Sequence, residues 1–408
     1  MTASADRRFQ VLGAAKKSKL AMLAVVLALT GMAGLSTRSL VAQAQSSNAL
    51  LPPVGFVYTE TNGTNNAILA FNRAANGSLS LAATVSTGGL GGGVVSVGSQ
   101  GTLALSQDGR WLFAANQGDN TISVLERTPA GLRLTGRVSS NGTLPVSITV
   151  SRNLVYVLND GTAASATNPQ PANITGFFFD QVRGALAPIP SSTRSLSAPF
   201  PTVPAAGPDA AEIHFDNTGS FLYVGEVGTS LIDTYAIKPD GTPGEDEAQT
   251  SNGNGPFAFA FDPRDNLIVT ETQEAAGIVG KGSATSYQLN RDGILHTISG
   301  SVPDSQSAPC WLEITGNGRF AYAVNTASSV ISGYEVSSLG ELSLLGNGVT
   351  ATTGAHPLDI AFTADSQYLY NVSGAGALIG FRVNADGSLT SLGQVTTVPA
   401  TSRGLVAE

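Results

Sequence analysis

The chain has 408 residues, enough for two or three ordinary domains, and only 12% of them are charged, where roughly 25% is usual. Its 21 basic and 29 acidic residues give a net charge of −8, which argues against a nucleic-acid partner. The single cysteine, Cys310, excludes an intrachain disulfide and any cysteine-based metal site.

Residues 1–44 read as a secretory signal. Arg7, Arg8, Lys16, Lys17 and Lys19 form a basic leader, Leu20 to Leu35 an apolar core, and Ala42-Gln43-Ala44 a small-x-small cleavage site. A retained anchor is the alternative, since the core is near the lower length limit for a span. After cleavage no membrane span is expected, and the protein is placed outside the cytoplasm, in the periplasm or secreted. The residues after Arg7-Arg8 fit a twin-arginine signal poorly, and no cysteine near the cleavage point allows lipid attachment there. Cleavage removes six basic residues and one acidic residue, leaving 15 and 28 and a net charge of −13. Residues 45–54 form a linker ending in Pro52-Pro53.

From residue 55 to 408 one pattern recurs. The strand cores are Phe56–Glu60, Leu112–Asn116, Leu154–Asn159, Phe221–Glu226, Leu267–Glu271, Phe320–Asn325 and Tyr368–Val372, each followed by a turn centred on Gly77, Gly131, Gly184, Gly241, Gly293, Gly340 or Gly387. The period is roughly 45–55 residues, that of four-stranded propeller blades. One blade shows the plan. Leu103–Leu105 is strand A, Ser106–Arg110 a tight Asp-Gly turn, Trp111–Asn116 strand B, Thr121–Arg127 strand C and Leu132–Val138 strand D. The A–B turn recurs from Asp216, Asp262, Thr315 and Thr363. The expected fold is all-β, a seven-bladed β-propeller. The first repeat lacks a strand A, and Arg403–Glu408 is a surplus strand at the other end. Pairing the two closes the first blade and removes both open edges.

The long connections fall on one face: Gly88 to Gly101, Asp160 to Asn173, Pro188 to Pro208 and Thr272 to Ala284. Tight turns on one face and long loops on the other favour a ligand site at the loop-rich channel mouth. Strand ends direct Glu60, Asn116, Asn159, Glu226, Glu271 and Asn325 there, and the starts of inner strands direct Asp209, Glu212, His356 and Arg403. Glu226, Glu271, His356 and Arg403 are the candidate catalytic groups. Glu60, Asn116, Asn159, Asp209, Glu212 and Asn325 are candidate ligand contacts. His214 is expected to face a neighbouring blade, His296 to lie in a D strand, and Cys310 to be a buried, inert thiol. Asn62, Asn76, Asn141, Asn173 and Asn371 begin glycosylation sequons that double as turns. No HExxH, GxSxG, Walker loop, dinucleotide fingerprint or EF-hand loop is present, and no metal or cofactor is expected.

The repeat of inner strand, DGR-like turn, FLYV, GTSLIDTY and PDG resembles the seven-bladed lactonase family, which includes 6-phosphogluconolactonases of the propeller type and carboxy-cis,cis-muconate cyclases. The resemblance runs from about Val54 to the C-terminus. It implies a His where Ala211 stands, an Arg where Leu231 stands, and an Arg-His pair where Phe257 and Ala258 stand; the family's two acidic positions match Glu226 and Glu271. Three readings follow. The first is an exported, monomeric propeller with a degenerate catalytic set that binds a small or carbohydrate-like ligand, or a protein, through its loop-rich face. The second is an active lactone hydrolase or cyclase using Glu226 or Glu271. The third is a structural envelope propeller.

Overall fold

The computed structural model describes residues 53–93, 98–162, 168–198, 210–272 and 280–408. The secretory signal, all of the linker before Pro53, and Asp209 lie outside them. The described strands form seven antiparallel sheets, each in the order A-B-C-D, arranged as a seven-bladed propeller. Blade 1 takes its B, C and D strands from Pro53–Glu60, Ala67–Ala74 and Leu79–Ser86, and its A strand from Arg403–Ala407. Pro53 and Val54, expected in the linker, open that first strand.

Burial falls off along each sheet from the B strand to the outer D strand. The B strands of blades 2, 5, 6 and 7 are buried along their whole length, whereas the D strand Gly131–Ser139 is largely exposed. This is the pattern of sheets packed on both faces near a hub and wetted at the rim. Aromatic edges fasten one blade to the next: Trp111 and Phe113 meet Phe179 at 5.2 and 4.9 Å, Tyr156 meets Phe215 at 5.7 Å, and Tyr322 meets Phe362 at 5.7 Å.

A second fastening uses the repeated glycine. Gly293 has φ +84°, and a methyl placed on it would stand 2.6 Å from the Phe221 ring at the start of the preceding B strand. A side chain is thus excluded both by conformation and by space. Gly77 sits likewise on Tyr368, Gly184 on Trp111 and Gly387 on Phe320. In four joints a B-strand tyrosine also donates to the glycine carbonyl: Tyr156 to Gly241 at 2.6 Å, Tyr223 to Gly293 at 3.3 Å, Tyr322 to Gly387 at 2.8 Å and Tyr370 to Gly77 at 2.7 Å. The recurring glycines are blade-to-blade seats as well as turns.

Two D strands are broken. In blade 3 Ala185–Pro188 is followed by Arg194–Ser195, which returns to pair with Asn173 and Ile174, so part of the expected Pro188–Pro208 connection is strand. In blade 6 Leu342–Leu344 and Ala351–Thr352 divide the same way.

Ring closure is as the sequence indicates. Val57 pairs with Ala407 and Glu60 with Arg403, the Glu408 amide donates to Phe56 O at 3.0 Å, and Glu408 forms an ion pair with Arg127. Leu405 is 4% exposed. Ending the chain at Ser402 opens a buried edge. It is expected to lower the melting temperature by more than about 5 °C or to cause aggregation, read by differential scanning fluorimetry and light scattering. A truncated protein melting within about a degree of the full chain contradicts the closure.

Candidate functional site

The candidate residues at the B-strand ends are 0–2% exposed and hydrogen-bonded to protein. Asn66 Nδ2 donates to Glu60 at 2.8 Å and to Asn116 Oδ1 at 3.1 Å; Asn116 Nδ2 donates to Ser123 Oγ at 2.8 Å. Asn159 Nδ2 donates to Ser140 O at 3.3 Å and to Asn173 Oδ1 at 3.1 Å, and Asn325 Nδ2 to Ser332 Oγ at 2.8 Å. Glu271 accepts from the Gly253 amide at 2.8 Å, from Ser283 Oγ at 2.5 Å and from Thr285 Oγ1. Glu226 accepts from the Ala198 amide at 2.9 Å, from Ser197 Oγ at 3.1 Å and from Thr229 Oγ1 at 2.5 Å. Each side chain ties the end of its B strand to the adjoining connection or C strand.

The four candidate catalytic groups do not come together. Glu226, Glu271, His356 and Arg403 belong to blades 4, 5, 7 and 1, and among the described residues no hydrogen bond or ion pair joins any two. His356 is exposed at φ +52° just before its inner strand. Arg403 is half-buried, donates to Ser402 O at 2.9 Å and attracts Glu60. Burial pushes the Glu60 carboxyl up to about 8, against the pull of Asn66 and Arg403. His214 faces blade 5, its ring 5.3 Å from that of Phe261, and His296 lies in a D strand.

Glu226 has two carboxyl neighbours that the sequence reading missed. Asp233, on the next strand, accepts Ser197 Oγ at 2.8 Å and the Ser197 amide at 3.0 Å. Burial, with Glu226 and Asp246 beside it, raises Asp233 to about 8, and burial with Glu226 and Glu247 raises Asp246 to about 7. Blade 4 thus places two carboxyls of raised proton affinity next to Glu226, one of the two matched family acids.

A further set lies on the axis. Six of the seven inner strands carry a register shift against their B strand, as between Ala210 and Ile213 or Pro357 and Ile360, whereas Leu103–Leu105 pairs without one. Such a bulge frees one backbone amide. A neighbouring blade supplies the acceptor: Ser147 Oγ for Ile213 at 3.2 Å, Glu212 Oε2 for Phe259 at 2.5 Å, and Asp359 Oδ2 for Leu405 at 3.1 Å. Blade 5 has Ala258 at the accepting position, and there Gln100 crosses the channel instead. Its side chain accepts from the Leu312 amide at 2.9 Å and donates to Leu312 O at 2.8 Å. Glu212, Asp359, Glu313, His214 and Gln100 help line an axial cavity of about 210 Å³ on the half of the ring nearer the tight A–B turns. Burial raises all three carboxyls, Glu313 to about 8, and the neighbouring Glu313 charge adds to it at Glu212 and Asp359. Among the described residues, no group of three or more His, Cys, Asp and Glu side chains is arranged to hold a metal ion. Aligning the inner strands would have found this set, because Ser147, Glu212 and Asp359 share one place within apolar runs.

Where the family resemblance implies cationic and histidine side chains, the structure is apolar and closed. Ala211, Phe257 and Ala258 are 0–4% exposed, and the Phe257 ring lies 5.4 Å from that of Trp311. A methyl on Gly98 would stand 3.2 Å from Trp311, and Ser99 Oγ donates to Val146 O, so residues 98–101 lie across the upper end of the channel.

Seven radial sheets around a polar axis define the protein's class, a seven-bladed β-propeller. The family profile described as lactonase, 7-bladed beta-propeller, matches residues 52–198, 192–280 and 281–406, and the chain belongs to that family. It is 25% identical over 187 residues to the 6-phosphogluconolactonase of Pectobacterium atrosepticum, covering 43% of this chain and 54% of the relative. The corresponding Pectobacterium carotovorum enzyme is 24% identical over 185 residues, with the same coverage. The chain matches about half the length of these curated relatives. Among solved structures, a candidate 6-phosphogluconolactonase of Bacteroides fragilis superposes with TM-score 0.66 at 18% identity, over 87% of this chain and 98% of that one. The periplasmic gluconolactonase of Pseudomonas aeruginosa superposes with TM-score 0.65 at 14% identity, over 86% and 98%. At such identities the likeness is one of fold.

The channel acids set a pH dependence of stability. A carboxyl whose folded pKa is raised binds its proton more tightly in the folded state. Its stabilisation is fully present below the unfolded value of about 4.5 and is lost as pH rises through the folded value, for Glu313 about 8. The loss approaches about 1.4 kcal/mol per pH unit per group between those limits. The midpoint of urea unfolding is expected to fall from pH 5 to pH 8, and Glu313→Gln to flatten part of that fall. A midpoint that rises over this range excludes the assignment.

Proposed function

We propose that this is an exported lactonase-family propeller that has lost the family's hydrolytic set and holds a small, carbohydrate-like ligand on its loop-rich face. One observation carries the reading. Glu226 and Glu271, the acids that match the family, are buried and hydrogen-bonded to their own blades and the adjoining connections, while Ala211, Leu231, Phe257 and Ala258 stand where the family places His and Arg. No guanidinium or imidazole stands at those positions to neutralise a substrate phosphate, and general acid–base help alone is worth about 10²–10⁴-fold. Purified protein is expected to hydrolyse 6-phosphogluconolactone at no more than about 100-fold the spontaneous rate. A kcat of about 1 s⁻¹ or more, abolished by Glu226→Gln or Glu271→Gln, overturns the reading.

The raised carboxyl of Asp233 beside Glu226 favours a second reading, hydrolysis of a neutral lactone with Asp233 as the proton-holding group. Turnover of δ-gluconolactone that Asp233→Asn and Glu226→Gln each suppress, with 6-phosphogluconolactone untouched, selects it over the first.

Export rests on the basic leader, apolar core and cleavage site of residues 1–44. N-terminal sequencing of protein from its native host is expected to begin at or near Gln45. An intact Met1, or a mainly cytoplasmic pool, excludes export by this signal.

A further inference from the structure

The glycine seats are not complete. Six of the seven C–D turns rest on a side chain of the preceding blade, the remaining two being Gly241 on Leu154 and Gly340 on Asn266. At the joint from blade 1 to blade 2 the seat is empty: an added methyl on Gly131 meets nothing within 4 Å. The cause is written in the turn. Arg127 pairs with Leu132, whereas the equivalent pairs Arg73–Leu79, Leu289–Leu295, Val336–Leu342 and Val383–Leu389 are one residue further apart. Where other blades have Ser78, Ile294, Glu341 or Ser388 after the glycine, blade 2 has none, and its turn falls short of Phe56.

What remains is a groove of about 720 Å³. That lies within the usual range for small-molecule sites. The half-buried Phe56 forms its floor, with the Arg127 guanidinium 5.8 Å from its ring centre and the ring of the buried Tyr58 beside it, 5.9 Å away and within 16° of parallel. Leu132 and the small side chains of Ala70 and Ala83 form its walls. Arg127 is the one charged residue of the lining, and it is already paired with Glu408. The half-buried Asn72 carboxamide makes no hydrogen bond to a described protein group, although it lines the groove. The site therefore presents a flat apolar floor, a free amide at the edge and no uncompensated charge.

We propose that this open joint is a ligand site for an uncharged ring compound with one apolar face and a hydroxyl-bearing edge, a sugar ring or an aryl glycoside. The apolar face packs on Phe56 and Leu132, as the glycine turns pack on aromatic rings at four of the other joints, and the edge hydroxyls meet Asn72. The site is on the tight-turn side of the ring, opposite the long loops, and is independent of the function proposed above.

Isothermal titration of purified protein with p-nitrophenyl β-D-glucopyranoside tests it. Saturable one-to-one binding is expected, insensitive to salt and preferred over p-nitrophenyl phosphate. Two variants close the groove by different means: Ala83→Trp fills it, and a serine inserted between Gly131 and Leu132 restores the turn length of the other blades. Each is expected to weaken binding at least about tenfold, and the insertion to leave or raise the melting temperature. Three outcomes overturn the proposal. They are no saturation below about 10 mM, equal affinity in both closed variants, and binding seen only after Leu50 and Leu51 are changed to Ser. The last would assign the groove to the chain's own leading segment.

Discussion

In six of the seven blades the inner strand has a bulge, and such a bulge releases a backbone amide that water reaches poorly. An unpaired amide in that setting costs about 1–3 kcal/mol, so it must find an acceptor, and at three joints a side chain of the preceding blade supplies it. Ser147, Glu212 and Asp359 meet that demand in succession. The polar character of the axis follows from it. The carboxylates that look like a site along the channel are first of all the joints between sheets, and their raised proton affinity is the consequence of placing acids where amides needed them.

The two faces consequently divide the work. On the tight-turn face glycine carbonyls and aromatic rings repeat with little variation, and the departure at Gly131 is conspicuous because the other six joints show what belongs there. On the loop-rich face the B strands end in acids and amides whose hydrogen bonds hold the connections down. Membership of the lactonase family explains the frame and the retention of acids at Glu226 and Glu271; it does not by itself explain Ala211, Phe257 or Ala258, which pack as core.

The strands, turns and closure were legible because their signals are local and repeat: a glycine with positive φ, an aromatic B strand, a surplus terminal strand. The site was legible by address alone. Glu226 and Glu271 could be placed at strand ends, but their saturation depends on where Ser197, Ala198 and Gly253 fold back, which no local pattern records. Glu212 was recognised as an axial residue, while its role as acceptor for Phe259 required the bulge. Glu313 and Asp359 hid in apolar runs. Gln100, at the end of a glycine-rich stretch, looked like loop, since nothing in its neighbourhood announces a partner in blade 6. The returning half of the blade 3 D strand, Arg194–Ser195, lies inside the Pro-rich stretch whose composition is that of a connection.

That partner is 212 residues away in sequence. A closed array of repeats bonded only to nearest neighbours can fray one unit at a time, each blade opening at the cost of its own two interfaces. Gln100 adds a chord to the circle: loosening blade 6 strands the entry to blade 2, and releasing that entry leaves both polar groups of Leu312 bare. The chord couples the two halves of the circumference, so that the protein's cooperativity is a property of the whole circle and not of its repeats.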